Sequence, residues 1–336
     1  MIIALQLAFF TLAFSNSLET YQEYIRESNE IINYFVRSIV QPVDCGTDYW
    51  NACRQIDTVF GQLNASNQYI IHVYQGSYDH NLSSYDHFND AQYPTVDIVS
   101  EQNASINVIG TIQPIGKIII SFTNFSIDFG DIFFQIDDDG SSLKFSSCNL
   151  FRNAGKTAIN SHSLVIVDRG SLILEKMNIT GDIPEGNEAL IQSSQPLLIQ
   201  FTSLNIIKLS LMSENVEPLL LSVTEHDQNS QILVQDVHMK WNYAGNKAEA
   251  GIIYIHSKNL KINSMKNEIN AANPILIENS EIIQNTLAPI QESCAIQIEG
   301  LRASEIRITN STFDNRSPPN NDRQYEFKIV LPSGMN

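Results

Sequence analysis

The chain has 336 residues, 43% of them hydrophobic, and a formal net charge of −17. That hydrophobic share can supply a core and argues against wholesale disorder, and the length suits one large domain or two ordinary ones. The charge makes nucleic acid and anionic membrane surfaces poor partners, because both repel an acidic protein.

In chain order, Ile2 to Phe14 is an apolar run of signal-peptide length, with Ala13-Phe14-Ser15 as a small-x-small cleavage site and Ser17 as a second choice. No Lys or Arg precedes the run, so only the amino terminus supplies positive charge. A membrane span needs about 20 apolar residues, and this run is shorter and soon meets Asn16, Glu19 and Glu23. Residues 1–15 are therefore expected to be a signal peptide, with a signal anchor and a buried helix as the alternatives. No later segment is long and apolar enough to span, and the polar C-terminus is unlike a lipid-anchor tail signal. The expected location is secreted, extracellular or at the cell surface.

Residues 16–68 are expected to form an N-terminal helical cap region. Leu18, Tyr21, Ile25, Ile32, Phe35 and Ile39 recur at roughly helical spacing between Ser17, a candidate N-cap, and Pro42, a stop. Such a helix either lies against the body or binds a partner. Cys53, Ile56, Val59, Phe60 and Leu63 give one apolar face of a second, short helix. Cys45 and Cys53 are close together in an exported chain and are expected to form a local disulfide; a metal or redox pair would need partners and spacing that are absent there. Stacked strands need such a cover, since an open end exposes unpaired edges and core side chains.

Tyr69 to His80 reads as a first coil, with Ile71, Val73 and Tyr78 alternating around a turn at Gln75-Gly76. The order Cys45-Gly46-Thr47, Cys53, a short helix, then His72-Val73-Tyr74-Gln75-Gly76-Ser77-Tyr78 resembles the opening of right-handed parallel β-helix proteins of the pectin-lyase-like superfamily. It is particularly similar to large exported β-helix proteins of protists and to bacterial surface proteins built from such coils. With the repeats that follow, the resemblance covers about residues 45–313. It implies an all-β right-handed parallel β-helix, a solenoid, over residues 69–315, followed by a tail over 316–336. It implies little about chemistry, since the superfamily includes lyases, hydrolases, esterases and proteins without known activity.

The repeats carry the fold on their own account. Leu143, Phe145, Cys148 and Leu150 are apolar at spacing 0, +2, +5, +7, and Leu172, Leu174, Met177 and Ile179 repeat that spacing. So do Ile120, Phe122, Phe125 and Ile127; Ile199, Phe201, Leu204 and Ile206; and Ile232, Val234, Val237 and Met239. Leu260, Ile262 and Met265 form a partial copy, and Ile306, Ile308 and Phe313 a degraded one. Each copy has a strand period of two, a slip at a corner, then period two again. A segment this short cannot bury its apolar face alone, so copies must stack. Ile275, Ile277, Ile282 and Ile283 start too soon after Leu260 to be in phase and are read as another face. Cys148 falls on an inward position several coils from Cys294, beyond the roughly 7 Å Cα limit for a disulfide, so both are expected reduced and buried.

Candidate chemistry is sparse. Asp137-Asp138-Asp139 precedes Gly140 and reads as a solvated turn or a weak Ca²⁺ site rather than a catalytic pair, which needs carboxylates across a cleft. The superfamily's Gly-His-Gly turn is absent, and Arg307-Ile308-Thr309 lacks the Lys of its Arg-x-Lys triplet. Arg152, Lys156 and Arg169 are the basic residues nearest a lyase pattern, but Asp168 and Arg169 are adjacent and point to opposite faces of a strand. Ser77-Tyr78-Asp79-His80 is repeated as Ser84-Tyr85-Asp86-His87, a loop that could hold Zn²⁺ but reads as solvated. No catalytic, metal or cofactor site is assigned. Asn64, Asn81, Asn103, Asn124, Asn178 and Asn310 head Asn-x-Ser/Thr sequons and are expected glycan acceptors; Asn315 is a weaker one because Pro318 follows its Ser317. The expected role is a non-catalytic module that binds glycans or surface proteins. The alternative is a polysaccharide lyase or glycoside hydrolase of the same superfamily, recognisable by acidic and basic residues converging on one outward sheet.

Overall fold

The computed structural model describes residues 31–38, 46–63, 67–81, 94–109, 115–128, 134–151, 163–181, 188–211, 216–227, 229–257, 275–288, 293–301, 305–316 and 325–330. Apart from one short helix, Ile56–Phe60, the regular structure among them is β. The strands form a sixteen-stranded and a seven-stranded sheet.

The apolar quartets align residue against residue. Ile120 and Phe122 lie beside Leu143 and Phe145, those beside Leu172 and Leu174, then Ile199 and Phe201, then Ile232 and Val234. The second halves match as well, with Ile127, Leu150, Ile179, Ile206 and Met239 in one column. All of these side chains are buried. Parallel neighbours sit about 4.8 Å apart, so like stacks on like. Phe122 and Phe145 stack with centroids 5.3 Å and planes 17° apart, and Phe134 meets Phe145 edge-on at 5.7 Å.

The slip within each quartet has a backbone cause. Asn124, Ser147, Lys176, Ser203 and Asp236, each four residues after its quartet begins, have φ between 52° and 64°. A single left-handed residue turns the chain and inserts one extra position, so the inward set resumes at +5 instead of +4. A side chain in this region costs roughly 1–2 kcal/mol, least for Asn. Ser147 is exposed, so Ser147→Asn is expected to raise stability by about 0.5–1 kcal/mol and Ser147→Val to lower it, read as opposite shifts of the urea midpoint.

The long strands Ser171–Thr180, Leu198–Ile207 and Gln231–Lys240 each serve two arms of the larger sheet. The first half of Ser171–Thr180 pairs with Ser142–Ser146, and its second half with Asn149–Phe151. The smaller sheet stacks a third stretch of each repeat in chain order: Phe134–Ile136, Val165–Val167, Ile191–Ser193, Leu221–His226, Ala250–Ser257, Cys294–Glu299 and Tyr325–Val330.

Several expectations change. Ile31–Val36, placed in a helix by the spacing of Ile32 and Phe35, is a strand paired with Gln68–Val73. Tyr34 and Val36 point inward at period two, and a parallel neighbour outweighs a weak helical pattern. Strand pairing thus begins well before residue 69, and Tyr325–Val330, in the expected tail, pairs with Cys294–Glu299. Ile275–Glu278 and Glu281–Thr286 pair with the two halves of Gln231–Lys240 and are in phase after all. Leu260, Ile262 and Met265 lie outside the described residues, and the rung after Gln231–Lys240 is the one at Ile275. Ser77–Asn81 is a strand rather than a solvated loop, with His80 fully buried and its Nδ1 2.7 Å from Asp57 Oδ1.

The short helix forms where its apolar face required, with Ile56, Val59 and Phe60 buried. Cys148 and Cys294 are free and buried, as expected. Burial pushes the Cys148 thiol up to about 11 and that of Cys294 up to about 12.

A column of buried asparagines runs between the last rungs. Asn242 Nδ2 donates to Asn285 Oδ1 at 2.8 Å, and Asn285 Nδ2 donates to Asn315 Oδ1 at 2.8 Å. Asn315 Nδ2 donates in turn to Glu326 Oε2 at 2.8 Å. The same amides bind backbone: Leu209 N donates to Asn242 Oδ1, Asn242 Nδ2 donates to Ile206 O, and Asn285 Nδ2 to Met239 O.

Candidate functional site

Period two in each strand leaves alternate side chains on the outer face of the smaller sheet. There Gln192 lies between Ile166 and Ser222 in register. Asp168, Ser193, Ser194, Glu217 and Thr224 line a groove beside this column. The groove is open, with a volume of about 190 Å³. Asp168 is fixed: Gln135 Nε2 donates to its Oδ2 at 2.8 Å, and Ser194 Oγ donates to its carbonyl at 2.9 Å. Gly170, in left-handed backbone just after it, allows a tight turn, for a Cβ there would meet Asp138 O at 2.5 Å.

The column continues past the groove through Tyr254 and Gln297. Tyr254 and His256 stack 6.4 Å apart, and both reach Glu299, whose Oε2 accepts from the Tyr254 hydroxyl at 3.2 Å and lies 3.1 Å from His256 Nδ1. Burial, then Glu299, Glu249 and Glu217, push the Tyr254 hydroxyl up to about 12. Burial also pushes Glu299 upward, but hydrogen bonds from Gln297, His256 and Tyr254 more than offset it, leaving its carboxyl below the ordinary range. At neutral pH this face therefore offers a phenol that stays protonated and an ionised Glu299 carboxylate, beside amides and hydroxyls. Such groups donate and accept hydrogen bonds. Among the described residues that line the groove, none is Lys or Arg.

The residues singled out in the sequence are scattered. Asp137 to Gly140 forms the expected turn, with Gly140 N donating to Asp138 Oδ1 at 3.0 Å; burial, Asp138 and Asp168 raise the Asp137 carboxyl. Of the described members of that set, Asp168 alone lines the groove. Arg169 is exposed. Arg152, Lys156 and the second Ser-Tyr-Asp-His copy lie outside the described residues, and among those described no His, Cys, Asp and Glu group could hold a metal ion. No described helix is long and apolar enough to cross a membrane.

Of the sequon asparagines, Asn64 lies outside the described residues. Asn103, Asn124 and Asn310 are exposed at left-handed corners with φ of 54°, 64° and 50°, so a backbone demand accounts for asparagine there independently of any glycan. Asn178 is exposed and donates to Asn149 Oδ1 at 3.0 Å, leaving a second amide hydrogen. Asn81 is half-buried, its backbone N bound to Asp57 Oδ2. Asn315 is buried and its amide is spent on Glu326. Cys53 is buried and is not a free thiol; Cys45 lies outside the described residues.

The groove was not visible in the sequence. Ile166, Gln192 and Ser222 are 26 and 30 residues apart, a period that only the unread strands of the smaller sheet would have displayed. No family model matches the chain, and no curated protein matches it.

Proposed function

We propose that the protein is an exported, non-catalytic right-handed parallel β-helix of the pectin-lyase-like kind, closed at its N-terminal end by the Ile56–Phe60 helix and a Cys45–Cys53 bridge, whose outer face binds neutral glycans. The fold reading is supported by quartets stacked in parallel register along three stretches per repeat. Export is supported by the apolar run ending near Ser15 and by exposed sequons at Asn103, Asn124, Asn178 and Asn310.

The observation that carries the function is the lining of the groove. Gln192, Ser193, Ser194, Ser222 and Thr224 supply amides and hydroxyls, and Asp168 and Glu217 supply acceptors, without a basic residue among the described lining. Sugar hydroxyls need both donors and acceptors, whereas a polyuronate meets repulsion here unless a cation bridges it. A lyase cutting such a polymer would need a basic group converging on the same site.

Titration calorimetry with neutral hexose oligosaccharides and with oligogalacturonate, with and without Ca²⁺, tests the reading. Neutral sugars are expected to bind, and Gln192→Ala is expected to weaken them roughly 5- to 10-fold, the worth of about one hydrogen bond. Binding confined to oligogalacturonate, or release of new sugar ends or unsaturated products, would overturn it.

A further inference from the structure

At the second bend of the long strands, three consecutive rungs place Lys208, Trp241 and Gln284 one residue past the paired column Ile207, Lys240 and Ile283. All three are left-handed, with φ of 56°, 58° and 57°. The bend demands that conformation, but nothing in the bend demands an indole. Trp241 is nevertheless 54% exposed, and Tyr243, two residues on, is 53% exposed.

The stretch that bears these rings is held from every side. Between them Asn242 is fully buried, its amide in the asparagine column. Tyr243 N donates to Leu209 O at 2.8 Å and Leu211 N to Tyr243 O at 3.0 Å. On the other flank Thr286 N donates to Asn242 O at 2.8 Å and Ala244 N to Thr286 O at 2.9 Å. Alternation about a buried Asn242 sends both rings outward, on attachment points roughly 7 Å apart. Rungs about 4.8 Å away on either side border them with polar groups: Lys208 and Gln284 beside Trp241, Ser210 and Thr286 beside Tyr243.

We propose that Trp241 and Tyr243 form a platform for a neutral glycan chain, separate from the groove and independent of it. The C–H faces of pyranose rings lie on the two aromatic faces, whose negative quadrupole favours them. Hydroxyls at the sugar edges meet Ser210, Gln284 and Thr286. A protein partner would need the apolar surface to spread to the neighbouring rungs around a desolvated centre, but Leu209 and Leu211 there are buried and the residues in register with the two rings are polar.

The chain has two tryptophans, so in the full chain carrying Trp50→Phe the fluorescence of Trp241 reports this site alone. Neutral hexose oligosaccharides of five or more units are expected to shift that fluorescence saturably, while Gln192→Ala leaves the response unchanged. By calorimetry, Trp241→Asn is expected to abolish this binding phase and Tyr243→Ser to weaken it about 10-fold. Asn tolerates left-handed backbone, so circular dichroism is expected to show both variants folded, and loss of binding then belongs to the ring. No saturable shift with any neutral oligosaccharide, retention of this binding phase in Trp241→Asn, or a response abolished by Gln192→Ala would overturn the proposal.

Discussion

Replacing Asn285 with leucine is expected to lower the stability of the fold by about 3–5 kcal/mol, a large effect for a single amide. Asn285 is fully buried and sits in the middle of the column. Its Oδ1 accepts from Asn242 N at 3.1 Å and from Asn242 Nδ2 at 2.8 Å, and its Nδ2 donates to Met239 O at 3.1 Å and to Asn315 Oδ1 at 2.8 Å. Leucine fills much the same space but strands the backbone N–H of Asn242, the carbonyl of Met239 and half of each neighbouring amide away from water. Each stranded buried group costs about 1–3 kcal/mol, partly recovered where a neighbour can turn to another partner. Asn285→Asp separates this account from simple packing. The aspartate keeps the shape and the acceptor but cannot donate, so its oxygen faces Met239 O and Asn315 Oδ1. It is expected to be at least as damaging as leucine at pH 7 and to recover relative to wild type as the pH falls toward 4, because burial against two oxygens raises its carboxyl above the ordinary range and the acid can then donate again. Urea unfolding of the three proteins at pH 7 and pH 4, each compared with wild type at the same pH, reads the result. A leucine variant within 1 kcal/mol of wild type would mean that the column contributes little.

How much of this was legible in the sequence follows from what leaves a periodic trace. Leu143, Phe145, Cys148 and Leu150 and their copies could be read because an inward residue on a parallel strand is apolar in every rung, and the left-handed corner adds one position at the same place each time. The phase failed where an apolar triplet interposed. With Leu260 taken as the next copy, Ile275 looked out of step, although Asn242 and Asn285 are separated by the same 43 residues as Ile232 and Ile275. That shared spacing was the signal for both the rung and the asparagine column. Ile31–Val36 was misread because Ile32 and Phe35 suit a helix, whereas Tyr34 and Val36 point into the core and Phe35 stacks outside on His72 at 5.1 Å. The groove left no local trace, since its residues are mostly polar and lie on short strands and turns, and they meet only when those strands lie side by side.

The second large effect concerns His226, and its sign comes from burial. The ring is fully buried, and neither nitrogen has a hydrogen-bond partner among the described residues. It stands at the end of Leu221–His226, where Ser257 Oγ donates to its carbonyl at 3.0 Å and leaves the imidazole itself unassisted. Burial lowers its pKa to about 4, against a smaller opposing pull from Asp227 and the backbone of Ser230. The folded chain thus holds a neutral imidazole where the unfolded chain, with an ordinary pKa near 6.5, takes up a proton first. Stability is complete above pH 6.5 and is lost as the pH falls from there toward 4, by roughly 3 kcal/mol in all, at about 1.36 kcal/mol per pH unit. The carboxylates held below their ordinary range, Glu175, Glu281 and Glu299, act in the same direction but only below about pH 4.5. Of these four groups, His226 is the one that acts between pH 6.5 and 5. Urea midpoints measured across it are expected to fall steadily for the wild-type chain and to stay level for His226→Leu. That variant also removes two buried nitrogens without partners, so it is expected to be no less stable than wild type at pH 7.5. A leucine variant that still weakens between pH 6.5 and 5 would place the acid sensitivity in another group.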